Sequence, residues 1–391
     1  MNLPVYLFVL PWSLKHLGGV NQVVINLARQ MIARRSFSPV VLVTDWEAED
    51  PVWEIVHGIR TVRWRVVGPV HRLNPRQRIS RLLWHRRFAP AFEIFCREHN
   101  VTVVNSHYPT DAALTLDALV KSLVSPPKTI VSFHGADIAR LQALEPTILK
   151  KWSGMLLKSQ GVVVCSSALG LRVQETLGIV PNVIHNGIDS AAFIDMAGLP
   201  QSGLRRIILS VGKFETKKGQ DVLLNAFSTL VEEYADLDLM LVGATDNALS
   251  PLLQKCEQLG IQHRVQFCTD MPHNEVSRCF ACATIFVLPS RQEPFGIVLL
   301  EAGCLALPVV ASSVGGVPEI LEDSITALLV NPDRPDELAV AIRALLNDRM
   351  SAQAMGERLK AHVLKNFSWS RAHDLYVRLV QSDHSTAGQE R

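Results

Sequence analysis

The chain has 391 residues, a length that fits two domains or three. With 48% hydrophobic and 19% charged residues it can fill sizeable cores, which excludes a long disordered chain. A formal net charge of +2 gives no global pull toward nucleic acid, and seven cysteines, odd in number and mostly inside apolar stretches, read as reduced thiols of a cytosolic protein rather than a disulfide framework.

The opening stretch MNLPVYLFVLPW lacks a basic leader and a small-residue cleavage site, so no signal peptide is expected. No uninterrupted run reaches the roughly 20 apolar residues of a membrane span. Short β-branched runs then recur at 4–10, 39–44, 101–106, 128–133, 161–166 and 182–186, separated by amphipathic stretches. A second series follows at 206–212, 238–243, 265–268, 284–289, 308–312 and 327–330. Strands apolar on both faces, alternating with helices, predict parallel sheets covered on both sides. Two such series predict two Rossmann-like doubly wound α/β domains, with ligands in a cleft at the carboxyl ends of the strands. The aperiodic segment MAGLPQSGL (196–204) reads as the linker between them. Three amphipathic helical patterns end the chain, the last at 368–382, before a polar tail at 383–391.

Three strand-end loops carry chemistry. After the first strand, Gly18 and Gly19 precede a helix whose free N–H groups suit a phosphate; the same loop also fits a plain tight turn. After strand 206–212 come Lys213, Lys217 and Lys218, then a helix start near Gly219. These lysines repel one another unless an anion such as a diphosphate is present, although a solvated lysine turn has the same spelling. After strand 284–289 come Glu293, Pro294, Phe295, Gly296 and Ile297, then Glu301 within a run otherwise wholly apolar. A lone carboxyl there needs a partner, and a ribose diol is a good one.

The spacing Glu293-Pro294-Phe295-Gly296 with Glu301 resembles the E-x7-E signature of the retaining GT-B glycosyltransferases of family 4. SFHGAD with His134, HNGID (185–189), VGKFETKKG and SSVGGVPEIL (312–321) are similar to further segments of that family in the same order. The resemblance implies a GT-B architecture: an acceptor-binding domain at 1–195, a donor-binding domain at 205–366, and a final helix at 367–391 packing back toward the first domain. It implies donor contacts from Gly18, Gly19, Lys213, Lys218, Glu293, Pro294, Phe295, Gly296, Ile297 and Glu301. His134, Glu293 and Lys218 would be catalytic, with Lys15, His16, Asp137 and Asn186 on the acceptor side. It implies transfer of a sugar from a nucleoside diphosphate to an acceptor hydroxyl with retention, in bacterial cell-surface polysaccharide or glycolipid synthesis. No cofactor and no metal are expected. Lys213 departs from the family's usual arginine, which keeps charge but loses the planar fork.

The remaining motifs are weaker. Asp236-Leu237-Asp238 spells a metal-binding D-x-D but falls at a strand start, and reads as a solvated turn. Cys279 and Cys282 form a lone C-x-x-C on one helix face. Residues 60–87 carry arginines from Arg60 to Arg87, with Trp64 and Trp84 interleaved and no acidic residue. That segment suits an anionic membrane surface or a lipid-linked acceptor, placing a cytoplasmic enzyme at the inner face of the membrane. Nucleic acid would satisfy the same charges and an ordinary solvated helix face has the same spelling, but no nucleic-acid partner is expected. A nucleotide-sugar epimerase, or a non-catalytic nucleotide-sugar-binding subunit, is the competing expectation.

Overall fold

The computed structural model describes residues 3–16, 18–69, 75–194 and 205–382. The chain divides into two compact units, Met1–His185 with Trp369–Arg391, and Asn186–Ser368. The change of unit therefore falls earlier than the boundary expected from composition. Its cause is local: Ile188 bridges to Ser368, and the Ile188 N–H donates to the Phe367 carbonyl at 3.3 Å, which draws residues 186–189 into unit 2. The expected linker at 196–204 and the tail at 383–391 lie outside the described residues.

Unit 1 holds β1 (Val5–Leu10), β2 (Ser38–Thr44), β3 (Val52–Val56), β4 (Ile59–Trp64), β5 (Val101–His107), β6 (Lys128–Phe133), β7 (Gly161–Val164) and β8 (Asn182–Val183). Their order across the sheet is β3-β4-β2-β1-β5-β6-β7-β8. All neighbours run parallel except β3 and β4, an antiparallel hairpin that corrects the expectation of a wholly parallel sheet. His57 and Gly58 at its tip both have positive φ, 54° and 77°, as a two-residue hairpin turn requires. The arginines of β4 conceal its alternation in the sequence, yet Ile59, Val62 and Trp64 are buried. The helix Pro75–Glu98 lays Phe88, Phe92 and Phe95 against Trp64, and Trp84 stacks on Phe88 at 4.7 Å. Spacings of four and three put those phenylalanines on one face. Trp64 and Trp84 thus belong to this aromatic packing and do not alternate with arginine along an open face.

Unit 2 holds β9 (Arg206–Val211), β10 (Leu237–Gly243), β11 (Val265–Thr269), β12 (Ile285–Leu288), β13 (Val309–Ser312) and β14 (Leu328–Val330), all six parallel, within two residues of the predicted runs. The order β11-β10-β9-β12-β13-β14 is that of a dinucleotide-type α/β sheet, with its reversal between β9 and β12. The lysine loop follows β9 and the Glu-Pro-Phe-Gly loop follows β12, so the topology alone sets these two loops side by side at the switch point. In unit 1 the reversal lies between β1 and β5, next to the glycine loop and His107. The helix Trp369–Gln381 packs into unit 1, where its Tyr376 is buried.

The two switch-point loops of unit 2 touch at backbone distance. A Cβ on Gly219, whose φ is +67°, would lie 2.0 Å from the Pro289 carbonyl oxygen. Gly260 has nearly the same φ, +70°, with open space around it. Gly260→Ala therefore bears only the left-handed penalty of about 1 kcal/mol, whereas Gly219→Ala must also part the loops and is expected to cost more than about 3 kcal/mol. Thermal unfolding of both variants checks this; equal losses would mean the contact is soft.

Candidate active site

The site in unit 2 is assembled by one arginine that the sequence did not single out. Arg291 directs its guanidinium to both carboxylate oxygens of Asp221 (2.8 and 2.7 Å), to Asp333 (2.6 Å) and to the Thr216 carbonyl (2.6 Å). The Arg291 and Gln292 backbone N–H groups both donate to the Lys217 carbonyl. The lysine turn is thereby fastened to the β12 loop. Lys218 then reaches Glu293, with Nζ 2.7 Å from Oε2 and the two side chains only 19% and 9% exposed. The Glu293 carbonyl accepts from the Gly316 N–H at 3.0 Å, and a Cβ on Gly315 would lie 2.0 Å from that same oxygen. The glycine pair of SSVGGVPEIL is thus there to admit the Glu293 backbone.

The lysines do not stand uncompensated, which corrects the repulsion argument. Glu215 pairs with Lys217 and stands 4.0 Å from Lys213, while Glu293 takes Lys218. Three ammonium groups meet two carboxylates, leaving one net positive charge and the half-exposed Lys213 head. The helix Ile297–Cys304 follows Gly296 with no side-chain cap and no acidic residue in its first turn, so its first N–H groups remain available to an anion. The Phe295 ring is buried against Phe367.

Glu301 lies in the second turn of that helix and is buried, and burial pushes its carboxyl up to about 8. A neutral carboxyl both donates and accepts, so it suits a vicinal diol in either protonation state. Nearby Cys304 is pushed up to about 12 by the same burial, which makes it an inert thiol.

Unit 1 presents a second group. Asn21, buried in the helix Gly19–Ala33, accepts from Trp12 Nε1 at 2.9 Å and donates to the Ser13 and His16 carbonyls at 3.0 and 2.8 Å. This buried amide shapes the glycine loop. The helix starts at Gly19 without a side-chain cap. Lys15 pairs with Glu54 at 2.8 Å. Lys15 and His16 line an open cavity of about 420 Å³ with Trp12, Asp45, Trp46 and Arg63.

Past β6, His134 approaches His107 at 3.0 Å, and burial lowers it to about 4. Asp137 is fully buried, its two oxygens taken by the backbone N–H groups of His134, Gly135 and Ile138 at 2.7–2.9 Å. Burial raises it to about 6 against the pull of those donors. It shapes the His134 turn, spending three acceptor sites on backbone N–H groups. Asn186 is buried at the start of unit 2 rather than in unit 1.

The other motifs resolve into structure. Asp236 is held by Arg206, and Asp238 by Arg205 and Arg264, so the D-x-D is an ion-paired strand start and not a free turn. Among the described residues no cluster of histidine, cysteine and carboxylates is disposed to hold a metal. The basic segment is partly neutralised by the loop before it: Arg63 pairs with Asp45, Arg65 with Glu49, and Arg87 with Asp50. Arg60 and Arg65 lie over the rings of Trp53 and Trp46. Arg76, Arg78 and Arg86 remain exposed on the helix Pro75–Glu98, alongside exposed Ile79, Leu82 and Leu83. Arg72 lies outside the described residues.

Glu301 gives this site a pH signature. The unfolded chain loses that proton near 4.5 and the folded chain keeps it to about 8, so between those values the native state holds the extra proton and stability falls as pH rises. Glu301→Gln lacks this term. The variant is expected to gain on the parent by roughly 2–4 kcal/mol between pH 5 and pH 8.5. Melting curves at both pH values test it, and parallel profiles would contradict it.

Comparison with known proteins agrees with this two-unit fold. Residues 17–192 match the family model Glycosyltransferase Family 4, and residues 195–362 match Glycosyl transferases group 1. The D-inositol 3-phosphate glycosyltransferase of Segniliparus rotundus is 27% identical over 379 residues, covering 91% of this chain and 83% of that one. Sucrose-phosphate synthase from Thermosynechococcus elongatus superposes with a TM-score of 0.77 at 22% identity, covering 97% of this chain and 98% of that one. HepE of Anabaena, solved in complex with UDP and glucose, also gives 0.77, at 18% identity over 98% of this chain and 100% of that one. With both units accounted for, the chain belongs to glycosyltransferase family 4, among the group 1 glycosyl transferases of GT-B fold.

Proposed function

We propose that this glycosyltransferase uses a nucleoside diphosphate sugar as donor and transfers the sugar to an acceptor hydroxyl with retention at the anomeric carbon. The observation that carries the reading is the meeting of Lys218 and Glu293 at the switch point of unit 2, beside an uncapped helix start and one helical turn before Glu301. Breaking the sugar–phosphate bond leaves charge on the diphosphate. Lys213, Lys218 and the helix N–H groups would stabilise that charge, an effect of roughly 3 kcal/mol per donor in comparable sites. Glu301 would hold the ribose diol. Glu293, already oriented by Lys218, would meet a sugar hydroxyl. In this scheme the lysines supply the positive charge, and no metal or cofactor is assigned. Retention rests on the family. The presence of UDP in the HepE structure makes uridine the first base to test.

The acceptor is assigned to unit 1, whose cavity offers Trp12 and Trp46 as apolar faces and two pairs of opposite charges as hydrogen-bonding edges. We assign a lipid-linked or cell-surface glycan to it. Exposed Ile79, Leu82 and Leu83 among arginines favour peripheral contact with an anionic membrane. No described helix is long and apolar enough to cross one.

Melting curves with UDP, GDP and ADP test the donor site. One diphosphate is expected to raise the melting temperature. Lys218→Ala should weaken that ligand by roughly tenfold or more, and Glu301→Ala should erase the preference for ribose over 2′-deoxyribose. Unchanged affinity in both variants would remove the assignment. Nucleotide release that requires an acceptor marks a transferase, interconversion of the sugar an epimerase, and binding without turnover a non-catalytic subunit. For the membrane contact, co-sedimentation with phosphatidylglycerol vesicles should be lost in Leu82→Asp/Leu83→Asp and absent with phosphatidylcholine; equal sedimentation of parent and variant would refute it.

A further inference from the structure

A chain of buried polar side chains in unit 1 ends at His134, and the donor or acceptor nature of each link can be followed from one end to the other. It begins on the helix Trp369–Gln381, where the Tyr376 hydroxyl lies 3.2 Å from Ser132 Oγ. Ser132 donates to Asn105 Oδ1 at 3.0 Å. That bond turns the amide so that Nδ2 faces the other way, donating to the Tyr6 hydroxyl at 2.9 Å and standing 3.0 Å from His107 Nε2. An amide nitrogen only donates. His107 Nε2 must therefore accept, and the His107 proton sits on Nδ1. That nitrogen is 3.0 Å from His134 Nε2, which accepts in its turn.

We propose that Asn105 and His107 are positioning residues that hold His134 as the Nδ1–H tautomer, so that the ring offers a hydrogen-bond donor at Nδ1 and no lone pair there. Burial keeps both imidazoles neutral at physiological pH, lowering His134 to about 4 and His107 as well, so each ring carries a single proton whose place the chain decides. Asn105, Ser132 and His107 are all buried, which shields the chain from water that would scramble it. His134 therefore polarises or anchors a ligand oxygen and does not act as the base that removes a proton. What that N–H meets rests on the proposed sugar transfer; the tautomer itself does not.

The test is long-range ¹⁵N–¹H correlation of histidine rings in the full chain at pH 7, with His134 and His107 assigned through His134→Gln and His107→Gln. Both rings are expected to show a protonated Nδ1 and a bare Nε2. Asn105→Asp keeps the shape and, ionised, only accepts, so a His107 that stays neutral donates from Nε2 and accepts at Nδ1, and the His134 proton moves to Nε2. The ring signals should exchange, with kcat falling roughly 10- to 100-fold and KM for the donor changing little. Should Asn105→Asp fail to fold, Tyr376→Phe removes the bond that orients Ser132 and is expected to give a mixture of tautomers. A parent His134 protonated at Nε2, or signals unmoved in the variant that folds, overturns the proposal. If the tautomer is as stated while Lys218→Ala binds UDP like the parent, the donor-site reading falls and this inference stands.

Discussion

The ion pair between Lys218 and Glu293 is the contact on which unit 2 depends. Two charges that are nearly out of water lose several kcal/mol of hydration each, which their attraction recovers only with good geometry and supporting hydrogen bonds. The surrounding structure supplies that geometry. Arg291 fixes the lysine turn, the Gly219 backbone lies against Pro289, and the Gly315–Gly316 pair holds the Glu293 carbonyl. None of these three contacts touches the ion pair directly, yet each limits where one partner can stand. The charges are therefore held in place before any ligand arrives, and such preorganisation gives fixed charges their effect in catalysis.

Unit 1 achieves order by other means. Its carboxylate at Asp137 is spent on three backbone N–H groups, and its histidine pair is neutral and linked through an amide and two hydroxyls to the last described helix. That helix arrives after the whole of unit 2 has been traversed, so the sequence from Trp369 onward completes the polar core of a unit begun at the N-terminus. Neutral polar chains of this kind carry little charge but fix direction, since every donor must find an acceptor.

Much of this was legible in the residues. The central strands β9, β12 and β13 of unit 2 are largely buried, so each appears as an apolar run, and the site loops follow from where those runs end. The hairpin of β3 and β4 escaped because arginines at 60 and 63 interrupt its pattern, and their carboxylate and tryptophan partners lie 7 to 18 residues upstream. Arg291 looked like any loop arginine; its four acceptors come from positions 42 to 75 residues away. The His107–His134 pair joins the ends of two strands with no spacing signal, and the sequence does not show the three N–H groups that Asp137 accepts from. In each case residue type and local pattern were readable, while partners brought together by the sheet order were not.

The most direct measurement is a crystal structure of the chain with a bound UDP-sugar. The account requires diphosphate oxygens within about 3 Å of Lys218 Nζ and of the first N–H groups of the helix Ile297–Cys304, and the ribose hydroxyls on Glu301. A diphosphate seated elsewhere, with the Lys218–Glu293 pair undisturbed and far from it, would contradict the account.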